Sequence, residues 1–266
     1  MRALESDFFA PPLPRLFAHR GGAGVFPENT LAAFEASARL GIPYAEFDLH
    51  ATRDGVVVVA HDPDLRRTCG RDGRIADLSY ARLAAADAGY GFTLDGVSFP
   101  FRGQGLRIPR LDEVFAVCPT QRFIVEIKQI APSLVPAMLE VIDRCAMARR
   151  VLIASEHQAP LDEVRKLRPA MPTSLSSLEI ASFYAALSSG AGDYRPPADA
   201  IQIPPRYEGM ELATPAALDA AHRAGIEMHV WTINEEREMR ALLAMGVDGI
   251  LSDFPERLMR IVAASR

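Results

Sequence analysis

Residues 31–50 read LAAFEASARLGIPYAEFDLH: a helical pattern over Leu31–Leu40, a glycine, then an apolar strand over Tyr44–His50. Gly41 stands at the C′ position, where a left-handed residue ends a helix before the next element begins. The same junction returns at Ala224-Gly225-Ile226 and Met245-Gly246-Val247. Working outward, strand patterns fall at Leu16–His19, Tyr44–His50, Phe123–Lys128, Val151–Ser155, Thr173–Ser176, Ala200–Ile203, Glu227–Thr232 and Gly249–Ser252. Helical patterns such as Leu134–Met147, Leu161–Arg168, Pro215–Ala224 and Glu235–Met245 lie between them. Eight strands separated by helices in 266 residues predict an α/β fold, a TIM (β/α)8 barrel in preference to an open doubly wound sheet. The glycines after the first strand read GGAG, without the G-x-G-x-x-G of a dinucleotide site.

One stretch breaks the alternation. Asp54-Gly55 is a hairpin turn leading into the β run Val56–Val59, and from Pro63 to Pro109 the chain is loop-rich, with one helix near Ser79–Ala86. Long irregular insertions are usually functional or disordered, and this one follows a strand end, where barrels build their sites. The expectation is one domain over residues 1–266, with a small insertion after the second strand, a cap at about 63–109 beside the mouth.

Composition excludes several classes. Apolar residues make up 49% and charged residues 24%, and the charge sum is 29 − 34 = −5, with no basic run for nucleic acid. Cys69, Cys118 and Cys145 form no CxxC pair, which argues against a disulfide framework or thiolate zinc site. No apolar run reaches the roughly 18–20 residues that span a bilayer, so no stable membrane association is expected. Glu5, Ser6 and Asp7 break any signal-peptide core, and Pro11, Pro12 and Pro14 make the N-terminus a proline-rich lead-in. A cytoplasmic, reducing setting follows.

Polar residues crowd strand ends where a plain core would hold none. His19 and Arg20 close the first strand; Glu46 and Asp48 share one face of the second; Glu126 and Lys128 share one face of the third; His61 follows Val56–Val59. In a barrel these converge at one mouth. Glu46, Asp48 and Glu126 sum to −3 and Arg20 with Lys128 to +2, leaving −1; a divalent cation makes it +1 and attractive to an anion. Carboxylate ligation suits a hard ion. Arg and Lys suit phosphate oxygens, and two histidines supply proton transfer near neutral pH. The residues point to metal-assisted attack on a phosphate ester. His157 and His222 read as structural and His229 as a hydrogen-bonded core residue. His50 shares the parity of Glu46 and Asp48 and has a secondary reading as a substrate contact. Asn29 or Thr30 caps the first helix, Glu28 has a second reading as support for the metal shell, and Asp253 reads as fixing a loop.

His19-Arg20-Gly21, Pro27-Glu28-Asn29-Thr30, Glu46-Phe47-Asp48, Thr52-Arg53-Asp54-Gly55 and His61-Asp62 together resemble the glycerophosphodiester phosphodiesterases. The likeness continues through Ile108–Glu113, Val125–Lys128, Val230–Asn234, Gly246–Ile250 and Ser252–Pro255, from about residue 15 to residue 257. The resemblance implies a TIM barrel with a small insertion after the second strand. It implies metal-dependent hydrolysis of a small-molecule glycerophosphodiester to glycerol 3-phosphate and an alcohol. His19 and His61 take the place of the general acid–base pair, and Glu46, Asp48 and Glu126 that of the ligands to one divalent cation, Mg²⁺ or Ca²⁺, with Mn²⁺ a third option. Arg20 and Lys128 take that of the phosphate contacts, and Trp231 that of an apolar wall. Alternatives are a phospholipase D-like lyase releasing a cyclic phosphate, and a non-catalytic phospho-metabolite-binding barrel. A monomer or small homo-oligomer is expected. Ala154-Ser155-Glu156-His157 and the polar run Thr173–Ser177 depart from the family pattern where a leaving alcohol would be read.

Overall fold

The computed structural model describes residues 6–190 and 194–264, so Met1–Glu5 of the lead-in lie outside the described residues. Its strands are β1 (Arg15–Ala18), β2 (Tyr44–Ala51), β3 (Val57–Val59), β4 (Arg122–Ile127), β5 (Val151–Ala154), β6 (Ala200–Ile203), β7 (Arg206–Tyr207), β8 (Met210–Glu211), β9 (Glu227–Val230) and β10 (Gly249–Ser252). The helices are α1 (Leu31–Arg39), α2 (Arg66–Cys69), α3 (Tyr80–Leu83), α4 (Leu111–Val117), α5 (Val135–Arg144), α6 (Gln158–Leu167), α7 (Ser177–Ser189), α8 (Pro215–Arg223), α9 (Glu236–Met245) and α10 (Pro255–Ala264).

Seven strands run parallel in the order β5-β4-β2-β1-β10-β9-β6, curling into a TIM-barrel sheet. The ring closes through single pairings, Ile153 with Thr173 and Ser174 with Ala200. The strand expected over Thr173–Ser176 is therefore only a two-residue crossing, for a local reason. Ser176 caps α7, its hydroxyl accepting from the Glu179 N–H while Glu179 returns to the Ser176 N–H. A polar run that starts a helix cannot also extend a ladder. The first strand also ends one residue early. His19–Gly21 form a single 3-10 turn, with Arg20 at φ 50° and Gly21 at φ 83°. A Cβ on Gly21 would lie 2.9 Å from Ala33 Cβ, so glycine is needed where the turn passes α1. α1 itself is capped by Thr30, whose hydroxyl accepts from the Ala33 N–H, and ends at Gly41 with φ 76°.

Alternate strand residues fill the barrel. Phe17, Tyr44, Ile124, Leu152, Ala200 and Leu251 pack inside, and Phe8 joins them from the lead-in. The Tyr44 hydroxyl donates to the Phe8 carbonyl at 2.6 Å, and Arg15 forks onto Glu227 at 2.6 Å, tying off the N-terminal end. The opposite faces of the strands pack on the helices. β3 shows period-two patterning in three residues: Val57 and Val59 join the core outside β2, whereas Val58 joins a separate cluster with Leu65, Cys69, Ile75, Leu83 and Ile108. The loop-rich segment thus has a small core of its own, seated on one face of a strand whose other face belongs to the barrel.

Candidate active site

The pleat brings the carboxylates together. Glu46 and Asp48 lie two apart on β2, and Asp48 is paired across the ladder with Glu126 of β4. One oxygen from each of the three lies within 4.8 Å of the others, with Glu46 and Asp48 buried. The surroundings are cationic and donor-rich. Lys128 Nζ donates to Glu126 at 2.6 Å and lies 3.6 Å from Asp48. The Arg20 backbone N–H donates to Glu46 at 3.0 Å, and Asn29 Nδ2 donates to Asp48 at 3.0 Å. Arg20 Nε lies 3.5 Å from Asp48 and, among the described residues, has no hydrogen-bond partner although buried.

Electrostatics splits the cluster. Burial, and then the Asp48 charge, push Glu46 up to about 8; the same two causes raise Glu126. Burial opposes ionisation of Asp48 too, but Arg20, Lys128 and His61 outweigh it and hold Asp48 below its ordinary value. Three carboxylates in this space, two of them buried, repel unless a proton or a cation intervenes. Oxygens coordinating one ion at about 2.0–2.6 Å lie up to roughly 4–5 Å apart, so the spacing and the donor set fit a hard divalent ion. The Arg20 Nε beside it, with no hydrogen bond among the described residues, suits an anionic oxygen.

Two imidazoles border this cluster. His19 Nδ1 lies 2.6 Å from Asp253 Oδ1, and its Nε2 lies 3.8 Å from Glu46. Burial alone would lower His19, but the Asp253 hydrogen bond and the Glu46 charge raise it. Asp253 is held in turn by Asn234 Nδ2 at 2.7 Å, and despite burial its pairing with His19 keeps it below the ordinary carboxylate range. His61 Nδ1 lies 2.7 Å from Asp62 Oδ1, where Arg67 and His61 overcome burial and bring Asp62 down to about 2. An ionised carboxylate only accepts, so in both pairs Nδ1 carries the proton and Nε2 is left for chemistry.

The structure thus gathers Glu46, Asp48, Glu126, Lys128, Arg20 and His19 by direct contact, and His61 follows Ala60, whose N–H donates to the Asp48 carbonyl at 2.9 Å. Trp231 follows β9 at the C-terminal end of the barrel and is 41% exposed. Other readings change. His50 points at the main chain, its Nε2 3.1 Å from the His61 carbonyl, which places it as a support for that loop. Glu28 lies outside the carboxylate cluster and bridges Arg20 and Arg67. Asp253 does hold a loop, through Asn234, but it also anchors His19, which strand-by-strand reading missed; its position at the end of the last strand was the available signal. His229 is fully buried, 3.0 Å from Glu227, and His222 pairs with Asp248.

A parallel barrel whose strand ends carry a carboxylate cluster, a guanidinium, an ammonium and two anchored imidazoles is built for phosphoester chemistry. Residues 19–257 match the model of the glycerophosphoryl diester phosphodiesterase family, and the chain belongs to that family; its activity class is that of a phosphoric diester hydrolase. It is 32% identical over 253 residues to a probable glycerophosphodiester phosphodiesterase of Mycobacterium tuberculosis, covering 93% of this chain and 90% of that protein. A crystal structure from Silicibacter pomeroyi named for the same family superposes with a TM-score of 0.80 at 28% identity, covering 99% of this chain and 98% of that one. An Oleispira antarctica phosphodiesterase, solved with its product sn-glycerol-3-phosphate, is similar with a TM-score of 0.78 at 25% identity over 94% of this chain and 97% of that one.

Proposed function

We propose that this protein hydrolyses glycerophosphodiesters to glycerol 3-phosphate and an alcohol, with Glu46, Asp48 and Glu126 holding one divalent cation. The observation that carries the reading is the three-carboxylate cluster, with Glu46 and Asp48 buried, bordered by two imidazoles each anchored through Nδ1. A hard cation there, Mg²⁺, Ca²⁺ or Mn²⁺, supplies charge stabilisation of the phosphoryl oxygens when bound. Arg20 and Lys128 bind the phosphate, Arg20 through the Nε that makes no hydrogen bond among the described residues. His19 and His61 divide the proton transfers. One neutral Nε2 takes a proton from the attacking water as its oxygen bonds to phosphorus, and the other ring, as imidazolium, delivers its Nε2 proton to the departing alkoxide as the phosphorus–oxygen ester bond breaks. Trp231 offers the exposed face of its ring to the glycerol or alcohol carbons, and the segment at 63–109 walls the mouth.

The complete set of groups favours turnover over a barrel that only binds. The product carried by the Oleispira antarctica relative supports glycerol 3-phosphate as the product here. A reducing, cytoplasmic setting is part of the proposal: Cys69, Cys118 and Cys145 are free, and burial pushes the Cys118 thiol up to about 12. Among the described residues no helix is long and apolar enough to cross a membrane.

The test is glycerol 3-phosphate release from glycerophosphocholine before and after EDTA, then with Mg²⁺, Ca²⁺ or Mn²⁺ restored. The expected outcome is a loss of at least about 100-fold on chelation and recovery with one of the three ions. The ion that restores turnover also raises the melting temperature, since an ion bound only by the folded state at 100 times its Kd adds about 2.7 kcal/mol. Undiminished turnover after chelation removes the metal from the proposal, and no release with any ion removes the substrate.

A further inference from the structure

The segment at 63–109 sends one side chain to the site that the chemistry above does not use. Arg67 of α2 grips two carboxylates at once. Its Nη1 and Nη2 donate to the two oxygens of Glu28 at 2.6 and 2.7 Å, while Nε and Nη2 donate to the two oxygens of Asp62 at 2.7 and 3.1 Å. Each gripped carboxylate holds a member of the site in turn. Glu28 accepts from Arg20 Nη1 at 3.0 Å, and Asp62 accepts from His61 Nδ1 at 2.7 Å. We propose that Arg67 is a positioning residue that sets the His61 imidazole and the Arg20 guanidinium relative to each other through Asp62 and Glu28. The proposal rests on the roles given to His61 and Arg20 above.

Stability alone does not explain this arrangement. The Arg67 side chain is 49% exposed, against 15% for Glu28 and 23% for Asp62, and solvent at the arginine screens part of the attraction. What the guanidinium supplies is shape: parallel N–H bonds to two carboxylates, which a lysine ammonium, a single point charge, cannot reproduce. Four of its five N–H bonds go to Glu28 and Asp62, and it is through these two carboxylates that Arg67 acts on the site. Without it, Asp62 keeps His61 as partner but loses the two bonds that fix its own rotamer. Glu28 is then left with Arg20 alone and competes with phosphate for that guanidinium. The backbone under Arg67 is closely fitted as well: α2 ends at Gly70 with φ 62°, the Gly91 N–H donates to the Thr68 carbonyl at 3.0 Å, and a Cβ on Gly91 would collide with the Arg67 carbonyl oxygen. The insertion therefore presents this side chain from a preset position, and the device joins the barrel's first loop to the loop after β3.

Arg67→Lys and Arg67→Met, with Asp62→Asn and Glu28→Gln as references, test this on glycerol 3-phosphate release from glycerophosphocholine in the presence of the activating cation. Arg67→Lys is expected to lower kcat about 10- to 100-fold and to raise KM, with a melting temperature lowered by no more than about 4 °C. Asp62→Asn reproduces the kcat loss and Glu28→Gln the KM rise. Adding Asp62→Asn to Arg67→Lys costs less than about twofold further in kcat, because both act through His61. A merely structural arginine would lower the active fraction without moving KM. Arg67→Lys with kcat and KM within about twofold of the parent, or losses that multiply in the double variant, overturn the proposal. A parent without turnover overturns the functional reading instead, and the clamp is then read by NMR. The His61 Nδ1 proton signal is expected to shift or vanish in Arg67→Lys, and an unmoved signal overturns the clamp whatever the substrate.

Discussion

His19 and His61 are the same chemical unit built in two ways. Each presents Nε2 with Nδ1 on a carboxylate, at 2.6 Å to Asp253 and 2.7 Å to Asp62. The His19 pair belongs to the barrel: β1 and β10 lie side by side, Ala18 opposite Ser252, so the residues following them meet although 234 positions apart. The His61 pair is local, histidine and aspartate being neighbours in the chain, and its rigidity comes from Arg67 in the insertion. Exposure follows: 14% for the His19 side chain against 31% for His61. A barrel wall holds a dyad by strand register. A loop needs an added clamp to do the same.

The largest effect that sharpens this comparison is removal of either imidazole. His19→Gln and His61→Gln are each expected to lower kcat about 10²- to 10⁴-fold. On a diester with a p-nitrophenolate leaving group, which needs no proton, one of the two variants should recover most of its activity and the other should not. Recovery of both or of neither would erase the division into acid and base. Next come the anchors. Asp253→Asn is expected to cost about 100-fold in kcat and Asp62→Asn about 10-fold, since water can help orient the more exposed His61. Equal losses would mean that the barrel-held and loop-held pairs are equally rigid.

The smallest effect is on stability against pH. Asp62 is held at about 2 in the folded state against an ordinary 3.8, so its contribution is present above about pH 4 and is lost as pH falls through about 2. The melting temperature of Asp62→Asn should therefore approach that of the parent as pH is lowered from about 5 to about 2. A constant difference across that range would show that the aspartate is no more ionised folded than unfolded.

Much of this protein is legible along the chain. The Gly-terminated helices and the apolar runs between them determine the alternation, because helix and strand each bury one face at their own period. Glu46 with Asp48, and Glu126 with Lys128, declare one face by their two-residue spacing, and His61-Asp62 shows its pairing by adjacency. Thr173–Ser176 is where this reading fails: its β-compatible residues are taken over by the cap of α7, a competition decided by Glu179 three residues on. Arg67 and Asn234 carry no periodic signal at all.

The sequence by itself determined seven of the eight barrel strands, the shared face of each carboxylate-bearing pair and which groups of opposite charge have to be reconciled. Only the tertiary structure decided the partners. Closure of the barrel set Asp253 against His19, the parallel register set Asp48 beside Glu126, and the fold of the insertion set Arg67 between Glu28 and Asp62. The physical reason is that spacing specifies a side chain's direction within one element, whereas hydrogen bonds and charge pairing depend on distances between elements, which exist only once the ring has closed.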